Sequence, residues 1–575
     1  HKAGKIFEEN VASALCADVT APAPLSYQEA FSYDAQNNLT SATDGRGNAT
    51  SFVYDAAGNL IRTIEPGNLI TEYGRDPAGT GLLKSVTDAR GKITRFEHDA
   101  AGNLTAVVTP LGGRTTMTYD ASGRLTATVE PRGNIAGANP LDYDTLYAYD
   151  AGDRLLSVND PLANATGYAY DAVGNLTQTT DPKGRATGYA YDAADRLSSV
   201  TAPDNTVTSY SYDGVDNLTS RTDAKLHGTT FAYDAANRLS SVVTPAGRSW
   251  TYQHDANGNL TKVVDANGNA TPADPLDGTT TYGYDVLNRL VAIDYSDSTP
   301  DVSFAYDANG NRTSMSDGAG TETYAHDALD RLTQVTRALD SFLYAYDATG
   351  NITQRTYPGG TVAGYAYDDD GRLAGVTHAA VTTAYTYDAA GNPTRATLPN
   401  GYIENRAYDR AGRLTLVESV KGSSALARFN YTLDAAGNPT GVTGTTTKLY
   451  SYDLLDRLSE VCFASRCTRA GDPFIRYAYD PVGNRTSEAR PTGTTAYTYD
   501  VEDRLLSLSA PLVSVAYSYD ANGNQLSAAA ASEAGTVRRS FAYDQANRLL
   551  AVSQGALVRA YGYDGDGKRL RASWS

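Results

Sequence analysis

Cysteine is almost missing. There are three, Cys16, Cys462 and Cys467, in a chain of 575 residues, which excludes a scaffold built on disulfides. Cys462 and Cys467 could close a small loop or stay as two thiols, and the sequence leaves both open. Their spacing is wrong for a paired Cys-x-x-Cys zinc site. Long apolar runs are missing too: none approaches 18 residues, so no transmembrane helix is expected. Positive charge is in deficit, with 48 Lys and Arg against 66 Asp and Glu and a formal net charge of −18. That balance argues against a nucleic-acid partner, whose footprint is a basic patch. Phenylalanine is scarce at 11 residues, whereas tyrosine reaches 42. Tyrosine has an apolar body and a polar tip, so it suits surfaces packed at one end and wet at the other. Gly 52 with Pro 22 is too little for a low-complexity, disordered chain. The chain opens at His1 with no Met and no signal-peptide pattern, which fits either a removed leader or an excerpt of a longer polypeptide.

What is present in abundance is repetition. A Tyr-x-Tyr-Asp tetrapeptide or a close relative recurs about every 20 to 22 residues, from Tyr33-Asp34 to Tyr563-Asp564, in 25 copies. A short fixed period means one supersecondary unit stacked many times. In Tyr168-Ala169-Tyr170-Asp171-Ala172-Val173-Gly174-Asn175-Leu176, strand alternation puts Tyr168 and Tyr170 on one face. Asp171 and Gly174 then take the first and fourth positions of a type I turn. The next unit repeats this with Tyr189, Tyr191, Asp192 and Leu197. A short strand rich in Leu, Thr and Val follows, then a second turn such as Asp181-Pro182-Lys183-Gly184. Each unit therefore predicts two strands and two turns, and the chain predicts one long antiparallel meander. Gly or Pro punctuates it too often for helices. Leu197 and Val200 are three apart, so simple alternation puts them on opposite faces unless a bulge follows the turn.

The period stretches at several places, such as Asp120 to Asp150, Asp255 to Asp285, Asp409 to Asp434, Asp453 to Asp480 and Asp520 to Asp544. The extra residues, for instance Ile135 to Asn139 and Thr271 to Asp277, read as enlarged hairpin loops on one edge of the array. Residues 1–30 lie outside the repeat and include an Ala-Pro linker. Repeats fill 31–570, and 571–575 are a remnant.

Residues able to do chemistry are few and are explained by the repeat. His98, His254 and His326 occupy the second tyrosine slot of their units. The regular aspartates are explained by turn capping rather than acid–base work. Asp-x-Asn-Gly-Asn segments such as Asp255 to Asn259 place Gly at position 4 rather than 6 and lack the Glu at 12 that a calcium loop needs. Neither cofactor nor metal nor catalytic residue is expected, so an enzyme acting on surface polysaccharide is the weakest reading. The tyrosine ladder serves cross-strand packing first.

The unit Tyr-x-Tyr-Asp-x-x-Gly-Asn/Arg-Leu, as in Tyr168 to Gly184 and Tyr189 to Val200, resembles the RHS or YD-repeat family over about residues 31 to 570. The resemblance implies an all-β ribbon of tandem hairpins that spirals into a hollow shell or tube. In bacterial members such a shell encloses a polypeptide, often a toxin, and animal teneurins use a similar barrel for adhesion. It also implies a secreted or cell-surface, bacterial setting. The partner would be an enclosed polypeptide or a cell-surface protein or carbohydrate, and self-assembly is a further option. Bacterial toxin shells end in an Asp-Pro-x-Gly-type core with a self-cleavage site. The eleven residues after Asp564 hold neither. The expectation is a non-enzymatic shell that encloses or presents a polypeptide; the alternative is an adhesion or filament-forming module of the teneurin type.

Overall fold

A computed structural model describes residues 29–269, 278–465, 467 and 472–574. They form 50 strands, from β1 (Ala30–Tyr33) to β50 (Arg569–Trp574), in one antiparallel sheet. Each strand pairs with its neighbours in sequence. β1 pairs with the second strand, β50 with the forty-ninth, and the two ends do not pair with each other, so the sheet is open. Apart from the strands, the described residues include two short 3-10 turns, Pro131–Asn134 and Pro140–Asp142. The Thr271 to Asp277 insertion lies outside the described residues.

The local cause is the aspartate turn. Asp171 Oδ1 accepts from the backbone N–H groups of Val173 (3.1 Å), Gly174 (2.8 Å) and Asn175 (2.8 Å). Asn175 Nδ2 closes the loop onto Asp171 Oδ2 at 3.1 Å. In the next unit Arg196 takes the same place, with Nε 2.8 Å from Asp192 Oδ2. The fourth turn residue sits in the left-handed region: Gly174 has φ 106°, Asp195 φ 58° and Asn237 φ 58°. Only Gly, Asn and Asp visit that region cheaply, which is why they alternate there.

A bulge follows each such turn. In the hairpin of Ala186–Tyr191 and Leu197–Thr201, Tyr191 faces Leu197 but Ala190 faces Ser199, leaving Ser198 unpaired. Leu197 and Val200 thereby lie opposite Tyr191 and Tyr189, on one face, which removes the conflict in the spacing. Tyr168 faces Thr179 and Tyr170 faces Leu176 in the same register. His98, His254 and His326 pair with Leu104, Leu260 and Leu332 as the tyrosines they replace would.

Two of the stretched periods are not enlarged loops. Between Asp409 and Asp434 the extra residues lengthen the strands to Leu414–Lys421 and Ser424–Leu433, and between Asp520 and Asp544 to Gln525–Ser532 and Gly535–Tyr543. Neither pair has an interior Pro, so pairing continues to a tight turn.

The wall is one layer thick. Its accessible surface is 32485 Å², against roughly 20,000 Å² for a compact globule of this mass. Only eight apolar residues are buried among those described. Asn237→Val, a β-branched residue forced to positive φ, is expected to destabilise its hairpin by about 1–2 kcal/mol, whereas Asn237→Gly stays near neutral. Hydrogen exchange of the Gly228–Tyr233 and Leu239–Val243 amides measures the difference.

Candidate functional site: a stitched two-circuit wall

The ribbon has two edges. One carries the Tyr-Asp turns; the other carries the return turns that lead to the next unit. Bonds between residues 246 to 281 positions apart join the two edges of successive coils. Arg46, in a return turn, reaches Asp307 and Asp330, each at 3.2 Å. Lys183 Nζ lies 2.9 Å from both Asp434 and Asp456, and Arg185 pairs with Asp456. Lys225 bridges Asp480 (3.3 Å) and Asp503 (2.8 Å). Arg132 donates to the Asp409 carbonyl at 2.8 Å, and Arg248 to that of Asp520 at 2.9 Å. In each case a return turn of the first coil sits in the notch between two Tyr-Asp turns 23 and 25 strands further on. The first circuit therefore runs from Ala30 to Tyr295 and the second from Val302 to Trp574. At about 4.8 Å per strand, a coil of about 24 strands is roughly 115 Å around and 37 Å across.

The Pro131–Asn134 and Pro140–Asp142 turns flank the Ile135 to Asn139 insertion. They place it at this seam, where Arg410 Nη1 meets Asp142 Oδ1 at 2.6 Å. A seam crevice of about 320 Å³ opens between Lys225 and Arg248, lined by His227, Trp250, Glu502 and Asn522. Among the described residues no group of three or more His, Cys, Asp or Glu is placed to hold a metal ion. The crevice is a gap between docked turns, and the His227 Nδ1 buried there has no hydrogen-bond partner.

Electrostatics holds the seam shut. Arg185 first, then Lys183, pull the Asp456 carboxyl down to about 2 against its burial. Burial alone would push Asp434 up, yet Lys183 and Asn438 hold it below its ordinary range. These shifts mean that the carboxylates are stabilised as anions in the folded wall. Asp456 contributes its full share of stability above 3.8, and that share fades as pH falls towards 2.

The seam ends in a packed knot. Val302 and Met315 from the start of the second circuit, with Asp564 from its last Tyr-Asp turn, are the largest fully buried side chains among the described residues. Gly565 N donates to Asp317 Oδ2 at 2.6 Å, Arg337 holds the same carboxylate at 2.9 Å, and Arg312 pairs with Asp566 at 2.6 Å. A Cβ on Gly565 would stand 2.6 Å from Val302 Cγ1, so only glycine fits.

Along the sheet, most turn arginines also stack on the next unit's tyrosine. Arg154 lies 5.0 Å from the Tyr170 ring and Arg196 4.8 Å from the Tyr212 ring. The Tyr170 and Tyr191 hydroxyls donate to the Leu155 and Leu176 carbonyls at 3.0 and 2.9 Å. Tyr189 OH lies 3.5 Å from Thr179 Oγ1. Tyr168, Tyr170, Asp171, Gly174, Leu176, Tyr189, Tyr191, Asp192 and Leu197 all lie in the strands or turns of these two hairpins. Sequence reasoning missed the return-turn cations. Their signal was available in Arg46, Arg90, Arg132, Lys183 and Lys225, which share the third position of first-circuit return turns. A disulfide joins Cys462 and Cys467, with Cα atoms 5.7 Å apart, at the return edge of the second circuit.

Gly565→Val is expected to cost about 1–3 kcal/mol by overpacking and to free the last hairpin while the other hairpins stay folded. Protection of the Leu557–Tyr563 amides from hydrogen exchange reports it. Below pH 3 the coils are expected to part before the hairpins melt, so scattering shows expansion while circular dichroism keeps its β signal.

The RHS Repeat family model matches seven segments: 33–70, 79–114, 98–135, 149–186, 170–207, 191–225 and 233–270. The Teneurin YD-shell model matches 276–392. No curated protein matches the chain in sequence. Among solved structures, that titled TcdB2-TccC3-Cdc42 is similar with a TM-score of 0.70 at 13% identity, over 95% of this chain and 41% of that one. The TcdB2-TccC3 structure is similar with a TM-score of 0.69 at 16% identity, over 96% of this chain and 40% of that one. The chain thus spans about two fifths of the length of the solved chains it resembles. At these identities the likeness is one of fold: a coiled, single-layer β wall. By its repeats, its turns and its coiled wall, the chain belongs to the RHS/YD-repeat family.

Proposed function

We propose that this chain is a non-enzymatic wall of a secreted bacterial shell that encloses a polypeptide cargo. The observation that carries this reading is the single-layer ribbon coiled into two circuits and stitched by a charged seam. Subtracting a wall of about 10 Å leaves a space roughly 25 Å wide, enough for an unfolded chain or a small domain. The mechanism is steric. Proteases are kept out by the wall, and nothing in it needs to react with the contents. The Cys462–Cys467 disulfide supports an oxidising compartment, hence export.

The test is a fusion of the full chain to an unfolded reporter of about 60 residues placed after Ser575. Enclosure predicts that a general protease cuts the fused reporter at least about tenfold more slowly than the free one, with scattering dimensions unchanged. Cleavage at the free rate, with the wall intact, overturns the reading.

A further inference from the structure

The repeat fixes which residue each position of the wall expects, so departures from it carry information. Two positions before the first tyrosine of a unit, and on the same face, the first circuit has threonine at every hairpin from Thr50 to Thr280 except one, where Trp250 stands. The row opposite the first aromatic of each unit holds Val200, Val242 and Val263, but Arg221 opposite Tyr210, its only charged member in that circuit. A third departure is His227. Other return turns put Asn48, Asn164 or Arg185 at this position, and those side chains bond their turn aspartates at 3.0, 2.8 and 2.7 Å. His227 Nδ1 stays 3.8 Å from Asp223 Oδ2, buried and without a hydrogen-bond partner among the described residues. These three residues, from three different rows, meet in one place: all of them line the seam crevice of about 320 Å³. That volume falls at the lower end of small-ligand sites, which run to roughly 300–1,000 Å³.

The acidic and amide groups contributed by the second circuit are already engaged. Glu502 accepts from Thr244 Oγ1 and pairs with Arg248 and Arg504 at 3.3 and 3.2 Å. Asp503 holds Lys225 and Asn484 at 2.8 and 2.7 Å, and Asn522 Nδ2 reaches Asp265 at 2.6 Å. A ligand rich in hydroxyl groups would find few open partners here. Arg221 differs. It is exposed, and among the described residues it has neither a hydrogen bond nor an ion pair. The crevice therefore offers an indole ring, one free guanidinium and one unmet imidazole nitrogen. That set matches a flat apolar ring bearing a single carboxylate.

We propose that this crevice binds a small aromatic carboxylate, its ring against Trp250 and its carboxylate on Arg221, with His227 Nδ1 as a second donor. The lining comes from both circuits, so the site exists only while the seam is closed. It does not depend on what the wall encloses.

The chain has two tryptophans, Trp250 and Trp574, so Trp574→Phe makes Trp250 the sole fluorescent indole. Phenylacetate titrated into this full-length variant is expected to change the emission saturably, with half-saturation at or below about 1 mM. Arg221→Val and Trp250→Thr each restore the residue that the row expects, and both residues suit a strand. An unchanged circular dichroism spectrum checks that the fold is kept. Arg221→Val is expected to weaken binding at least about tenfold, and Trp250→Thr to abolish saturation transfer to the phenylacetate ring in NMR. Phenylacetamide lacks the charge and acetate lacks the ring, so each is expected to bind at least about tenfold more weakly. No saturable change up to about 20 mM phenylacetate overturns the proposal. So does equal binding of phenylacetate by either restored variant, or equal binding of phenylacetamide or acetate. Tighter binding of D-glucuronate overturns it too, since that would give the crevice to an acidic sugar.

Discussion

The turn aspartate carries this architecture because its carboxylate is used twice. One oxygen collects backbone N–H groups inside its own turn, as Asp453 Oδ1 does for Leu455 and Arg457. The other faces a side chain, from the same turn or, in the second circuit, from the coil above, as Asp434 Oδ2 faces Lys183. A single residue type thus fixes both the fold of each hairpin and the closure of the wall. Hydrogen bonds to an ionised acceptor are the stronger kind, and here they are multiplied along the ribbon.

A one-layer sheet has no second layer to bury its apolar face against. This chain meets that constraint with tyrosine and arginine rather than with a core. Tyr212 shows the pattern that many second-slot tyrosines share: its ring is tied by the hydroxyl to the Leu197 carbonyl of the preceding unit and covered by the Arg196 guanidinium. The apolar body is shielded while both faces stay wet. Any single contact of this type is modest, so stability is distributed and local, as in other stacked repeats. The buried knot of Val302, Met315 and Asp564 is the exception, and it lies where the end of the second coil meets its beginning.

Most of the fold could be read from the sequence because its rules are local. The Tyr alternation, the Asp-to-Gly turn and the punctuation by Gly and Pro act within about ten residues, and the described residues follow them from the first strand to the last. The bulge was implied by the spacing of Leu197 and Val200 and is present as an unpaired Ser198. The coiling was another matter, because it depends on residues some 250 positions apart. Lys183 and Asp456 look like ordinary turn residues until the ribbon closes on itself. The longer strands around Lys421 and Ser532 escaped for a different reason: an inserted stretch without Pro reads equally as loop or as pairing until its partner is seen.

The notch geometry sets a rule for how such a wall can change length. A return turn always meets Tyr-Asp turns an odd number of strands away, because the two kinds of turn leave from opposite edges. Material can enter or leave a circuit only as whole hairpins. Losing one strand would send every later Tyr-Asp turn to the wrong rim, whereas duplicating a unit of about 21 residues merely widens the ring. Gene duplication in multiples of the repeat is thus a neutral path to shells of different bore, and frame-preserving deletions of half a unit are not.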